Sequence, residues 1–309
     1  MINWQSQRTR GVLFQIVLVV SLLALLFWLA HNTWLHLQER GIQSGFDFLF
    51  DNAGFDIGES VFDFDSQQSY ALAFLVGLLN TLRVSVTGIV CCTALGLLLG
   101  IGRLSNNALA RGLCYAYVEL FRNIPLLLQL LMWYVVLVEV MPASDEALHL
   151  GNWLLLSKEG LALPLVGAEG ITLTPEFVAL TWGLTLYTSA FVSEVIRSGI
   201  LSVAKGQIEA AQSIGLSRSQ SLRWVILPQA MRVIVPPLTN QYLNLTKNSS
   251  LAVAIGYPDL VNITNTALNQ TGRAVECIAI VMAVYLSLSL LTSALMNHYN
   301  RSIALKGRG

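Results

Sequence analysis

Charge is scarce in this chain of 309 residues: only 12% are Asp, Glu, Lys or Arg, about half the share of an ordinary soluble domain. That excludes a free-standing soluble fold, and a strongly positive mean hydropathy points the same way. Catalytic signatures are also missing. There is no G-x-x-x-x-G-K-[ST] phosphate loop, so the chain is not itself an ATPase of that kind. Neither an H-E-x-x-H zinc motif nor a nucleophile–base constellation occurs, and no catalytic or metal-ligating residue is assigned. The four cysteines, Cys91, Cys92, Cys114 and Cys277, show neither zinc-ligand spacing nor a disulfide framework.

What is present is apolar and long. Six charge-poor stretches recur: Gly11–Ala30, Val84–Gly102, Asn123–Val138, Phe177–Ser193, Val233–Thr246 and Cys277–His298. A helix needs about 20 mostly apolar residues to cross a bilayer. The first, second and sixth meet this directly, and the others reach it by including one flanking polar or charged residue. The sequence therefore predicts an all-α integral membrane protein of about six transmembrane helices. Charge distribution sets the topology. Thirteen of the 18 Lys and Arg lie at the amino terminus, after the second stretch, after the fourth and at the carboxyl end, all on one side if the chain crosses six times. The positive-inside rule then places both termini and the Ile200–Met231 loop in the cytoplasm of a bacterial inner membrane.

Residues 1–35 read as a cytoplasmic tail with the first span. Its apolar run exceeds that of a secretory signal, and Trp28, His31 and Trp34 stand where small residues would precede cleavage. Residues 36–68 form an acidic periplasmic segment, read as a short ordered cap. From Glu39 to Tyr70 there are seven acidic residues and one basic, Arg40. Residues 69–298 read as one membrane domain with a cytoplasmic loop at 200–231, and 299–309 as a cytoplasmic tail. Gly96 and Gly100 have the spacing that lets helix backbones approach closely. A second outside loop, Met141–Glu176, holds the apolar run Trp153–Leu156 and Pro164, too short to span, and an interfacial helix is expected there.

The loop from Lys205 to Pro228 carries the sharpest signal. Glu209, Ala210, Ala211 and Gln212 suit a helix, and Gly215 suits the left-handed position that stops one. Ser217 with Gln220 makes a capping box for a second helix, which Pro228 prevents from continuing in regular form. Ala210 and Ala211 leave a smooth surface that a groove on another protein can accept. A helix–turn–helix for DNA is the rival reading. The second helix, however, runs through Val225, Ile226 and Leu227 into a membrane segment, which leaves no domain free to enter a groove.

Glu209-Ala210-Ala211, then Gly215, then Val225-x-Leu227-Pro228 resembles the signature loop of permease subunits of binding-protein-dependent ABC importers. Phe121-Arg122-Asn123-Ile124-Pro125-Leu126-Leu127-x-Gln129, Ser193-Glu194-x-x-Arg197-Ser-Gly199-Ile200 and Leu245-Thr246-Lys247-Asn248-Ser249-Ser250-Leu251 are similar to the polar amino-acid branch of that family. Gly256-Tyr257-Pro258-Asp259 and Asn269-Gln-Thr-Gly272 are similar to its general L-amino-acid members. The resemblance covers about Ser69 to His298 and implies a five-helix core preceded by one extra helix. It implies that Glu209, Ala210, Ala211, Gly215, Leu227 and Pro228 couple the chain to a separate ATPase subunit. ATP and Mg would be held by that partner, with no cofactor in this chain. A second, related permease and a periplasmic substrate-binding protein are the other implied partners.

Ionisable and polar residues inside spans mark candidate pathway positions, because lipid penalises them. Lys247 with Asn244, Asn248 and Ser249 is one group; Lys247 either meets a substrate carboxylate or pairs with Glu139. Glu194 and Arg197 share a helix face and can pair. Arg122 is expected at the cytoplasmic entrance of the third span, and Arg83 about two turns into the second from the outside. The function predicted is an ATP-driven amino-acid importer's permease. A gradient-driven secondary transporter is the alternative, although that class has no use for the coupling loop and often shows internal repeats, which are not seen here.

Overall fold

The computed structural model describes residues 7–39, 44–149, 154–163 and 171–305. Arg40, Trp153, Pro164, Lys306 and Arg308 lie outside them. The chain is built on long helices. α1 (Gln7–Glu39) is exposed over its apolar stretch Val12–Leu29. α2 (Tyr70–Arg103) starts where the Ser69 hydroxyl accepts the Leu72 N–H, a serine N-cap. α5 (Pro175–Leu201) starts where Thr174 caps Phe177, with Pro175 in the first turn, where its missing N–H is harmless. These two helices form the centre of the bundle. A Cβ on Gly96 of α2 would sit 2.5 Å from Val192 Cγ1 of α5, so only glycine permits this approach.

α10 (Ala274–Leu305) is the last long span. Among the described residues three helices are long and apolar enough to cross a membrane: α2, and the parts Arg10–Thr33 of α1 and Ala274–Asn300 of α10. The bent pair α3 (Ala108–Asn123) and α4 (Leu126–Val135), which continues through a π-helical turn to Val140, passes the same test only when its two halves are taken together, and is a fourth span if they form one. The two remaining stretches correspond to α5 and α8 (Leu227–Asn248), more polar helices packed against each other. The third span thus departs from the single helix expected over Asn123–Val138. Pro125 drives Ile124 into extended backbone (φ −97°, ψ 129°), as a following proline does. The result is a 102° bend between two helical halves.

Beyond α8 a 3-10 segment (Ser249–Ile255) and left-handed Gly256 lead to the short α9 (Leu260–Thr271), capped by Asp259. At this end of the bundle residues 44–69 fold into a cap. Phe48, Ala53 and Ile57 bury against Tyr70 and Phe74 of α2, and against Leu260 and Ile263 of α9. Asp47 accepts from Arg273 at 2.6 and 3.0 Å, and the Gly45 N–H donates to Glu276 at 2.7 Å. The other outside loop corrects an expectation. Where an interfacial helix was predicted, a four-stranded antiparallel meander forms, β1 (Leu148–His149), β2 (Leu155–Ser157), β3 (Gly160–Leu163) and β4 (Ile171–Leu173). Gly160, at φ 108°, closes the β2–β3 turn opposite Ser157. Its geometry fixes a hairpin where the apolar run alone allows a helix.

Candidate functional site

At the end of the bundle opposite the cap, α5 passes into α6 (Lys205–Ser213), α7 (Arg218–Ser221), a π-helical turn (Leu222–Ile226) and α8. The local chemistry dictates each step. Gly215 takes φ 81°, its N–H donates to the Gln212 carbonyl at 2.9 Å, and the Leu216 N–H donates to Ala211 at 3.1 Å. This is the paired closure of a helix that ends on a left-handed glycine. Ser217 then accepts from the Gln220 N–H, while the Ser217 N–H donates to Gln220 Oε1, so the capping box forms. Pro228 offers no N–H; the preceding turn widens, closing with Leu227 N–H on Leu222 O, and the chain runs on into α8. The turn is thus a rigid elbow tied to a span that contains Pro236 and Pro237.

Its tip is apolar and uncovered. Ile214 is 77% exposed and Trp224 59%, and Leu222 and Leu227 stand beside them. Glu209, Ala210 and Pro228 are exposed as well, but Ala211 is buried. The smooth surface expected from both alanines is therefore presented by Ala210 alone, because adjacent helical positions point about 100° apart.

The pathway candidates do not converge on one pocket; they fall at three levels. Near the cap, Arg83 pairs with Glu59 at 2.5 Å and lies 4.3 Å from the Phe177 ring centroid. The Thr174 hydroxyl also donates to Glu59, and Asn80 Nδ2 bonds the carbonyls of Glu59 and Pro258 at 2.8 and 2.9 Å. A cavity of about 370 Å³ opens beside them, lined by Asp56, Glu59, Thr174, Glu176, Asn262 and Thr266 among others. At the elbow end Glu194 pairs with Arg197 as its spacing predicts, and also with Arg103 of α2 at 2.5 Å. This second partner is 91 residues away and was read from sequence only as a topological charge.

At the third level, Lys247 is exposed on α8 and lines a groove of about 380 Å³ with Ser250, Val261, Tyr285 and Ser289. Among the described residues it has no ion pair, so the expected pairing with Glu139 is not made. Asn244 is exposed beside it, Asn248 is half-buried, and Ser249 is buried with its hydroxyl donating to the Thr246 carbonyl. Arg122 is displaced from the entrance where it was expected. It lies at the α3–α4 bend, its guanidinium 5.3 Å from the Phe191 ring centroid, ten residues short of the elbow end of α5. The third span begins fifteen residues earlier than its apolar run, at Ala108. Its signal was the asparagine cap: Asn107 Oδ1 accepts the N–H groups of Leu109 and Ala110.

On the cap, the Arg273 guanidinium holds the Asp47 carboxyl below its ordinary value. Among the described residues no cluster of three His, Cys, Asp or Glu side chains is placed to hold a metal.

Comparison with known proteins agrees with this architecture. The chain is 41% identical to the general L-amino acid transport system permease protein AapQ of Rhizobium johnstonii, over 97% of this chain and 93% of the relative. It is also 41% identical to the putative amino-acid ABC transporter permease protein YhdX of Escherichia coli K12, over 99% and 97%. Among solved structures, the crystal structure of an amino acid ABC transporter with histidines superposes with a TM-score of 0.60 at 29% identity. That match covers 75% of this chain and 95% of the other. Residues 93–305, which contain the elbow and every span after α2, match the family described as binding-protein-dependent transport system inner membrane component, and the chain belongs to that family.

Proposed function

We propose that the chain is the permease subunit of an ATP-driven amino-acid importer and that the α6–α7 elbow is its contact with the ATPase. The observation that carries this is the elbow: a short helix closed by Gly215, joined rigidly to α8, with an exposed apolar tip. Glu209, Ala210, Gly215, Leu227 and Pro228 shape the presented face, and the buried Ala211 lies on α6, which packs on α7 and the π-helical turn. ATP and Mg bind the partner ATPase, a dimer, whose closure pushes the elbow and through it α8. The names of the relatives support an amino acid as cargo. A second, related permease completes the path, and a periplasmic binding protein delivers the substrate. The elbow and both termini face the cytoplasm, and the cap faces the periplasm. Arg83 with Glu59 closes the outer end, Glu194 with Arg103 and Arg197 ties the inner end, and Lys247, Asn244 and Asn248 line the stretch between, with Ser249 buried behind them. A gradient-driven carrier has no partner for such an elbow.

The test is to solubilise the tagged chain from its native membranes and identify by mass what comes with it. Recovery of an ATPase subunit and a second permease supports the reading. Recovery of the chain alone, from membranes where its neighbours are expressed, overturns it.

A further inference from the structure

At Ile124–Pro125 one helix ends and another begins at 102°, with Arg122 to Pro125 exposed on a face of the bundle. Its height is fixed by neighbours. Tyr117 Oη donates to the Leu186 carbonyl at 3.0 Å and meets Ser189 Oγ at 2.9 Å, while Leu130 packs on Gly183. The break is therefore level with the middle of α5, about 20 Å of helix from either end, which puts it near the middle of a hydrocarbon core about 30 Å thick when α5 spans it. The carbonyl end of α3 and the N–H end of α4 meet there, one partially negative and the other partially positive.

Ionisable side chains of both signs join them. Arg122 is exposed, and among the described residues no carboxylate lies within 4.0 Å of it. Glu119, one turn earlier, is half-buried, with Asn123 Nδ2 3.5 Å from its carboxylate. Gln129 is 1% exposed, and its Nε2 donates to the Phe121 and Ile124 carbonyls at 3.0 and 2.8 Å, stitching the break. Its Oε1 is buried with no donor, an arrangement that folding tolerates only at a cost. A guanidinium directed at lipid at this depth is unfavourable, so Arg122 faces the interior of the assembled pore.

We propose that the α3–α4 break grips the zwitterionic backbone shared by all amino acids. Arg122 and the first N–H groups of α4 take the α-carboxylate; Glu119 and Gln129 Oε1, uncovered as the break opens during the cycle, take the α-ammonium. Interrupted helices place opposite partial charges at one point, which suits a ligand carrying both signs. Recognition here is blind to the side chain. The proposal rests on the amino-acid reading above.

The experiment is uptake of L-[14C]glutamine and L-[14C]leucine into proteoliposomes holding the complete transporter with its binding protein. Wild type, Arg122→Gln and Arg122→Lys are compared per intact complex recovered by gel filtration. Arg122→Gln is expected to lower uptake of both amino acids at least tenfold by a common factor, and Arg122→Lys to restore part of it for both. Uptake left unchanged in Arg122→Gln, or a loss confined to one amino acid, overturns the proposal while leaving the importer reading in place. If Arg122→Gln does not assemble, Arg122→Lys decides: equal partial loss for both substrates supports the grip, and full uptake of both overturns it. A wild-type complex that carries neither amino acid overturns both readings together.

Discussion

Gly215 offers the most direct test of the elbow as a rigid lever. It holds φ 81°, and a Cβ added there meets nothing within 4 Å. Any penalty on the chain itself is therefore backbone strain rather than collision. An L-residue in the left-handed region costs about 1–2 kcal/mol; asparagine suffers less because its side chain bonds locally. A β-branched residue is the least tolerant of positive φ. One to two kcal/mol corresponds to roughly a 5- to 30-fold loss in the population of a correctly shaped turn. ATP-driven uptake by reconstituted Gly215→Asn, Gly215→Ala and Gly215→Val complexes, normalised to inserted protein, is expected to fall in that order. Alanine should lie within that range of loss and valine at or beyond its upper end. Wild-type uptake by Gly215→Val would refute the rigid elbow. Equal losses for all three would show that side-chain bulk against the partner, and not strain, is what matters.

Gly96→Ala forces a Cβ to 2.5 Å from Val192 Cγ1 and should destabilise the detergent-solubilised protein by about 1–3 kcal/mol. Val192→Ala should relieve part of that loss in the double variant, whereas Gly112→Ala, with nothing within 4 Å, should be harmless. Strict additivity of the first two in thermal unfolding would mean that α2 and α5 do not touch there. On the cap, the lowered Asp47 carboxyl stabilises the fold above its ordinary value of 3.8, and that contribution disappears as pH falls through the lowered folded value. Asp47→Asn should therefore melt below wild type at pH ~7 and level with it under strong acid. A gap that persists across that pH range would remove Arg273 as the cause.

Sequence by itself determined what local chemistry decides. Long apolar runs made the chain a membrane protein, since no soluble fold hides so much apolar surface with so little charge. Gly215, Ser217, Gln220 and Pro228 wrote the elbow, because stops and caps act over three or four residues. Gly96 announced a close helix contact without naming its partner. Tertiary structure decided what depends on residues far apart. It brought Val192 to Gly96, Arg103 to Glu194 across 91 positions, and Glu59 to Arg83. It turned Ala211 inward and left Lys247 unpaired by Glu139. It also drew the 141–176 loop into strands, where strand pairing and the Gly160 turn outweigh a short apolar run. The third span shows the division most clearly. The apolar run over Asn123–Val138 predicts one helix that Pro125 in fact breaks, and only packing against α5 shows that the break stands at mid-height with Arg122 beside Phe191. A local pattern specifies a bend in the chain; the depth of that bend in a membrane is set by the helices around it.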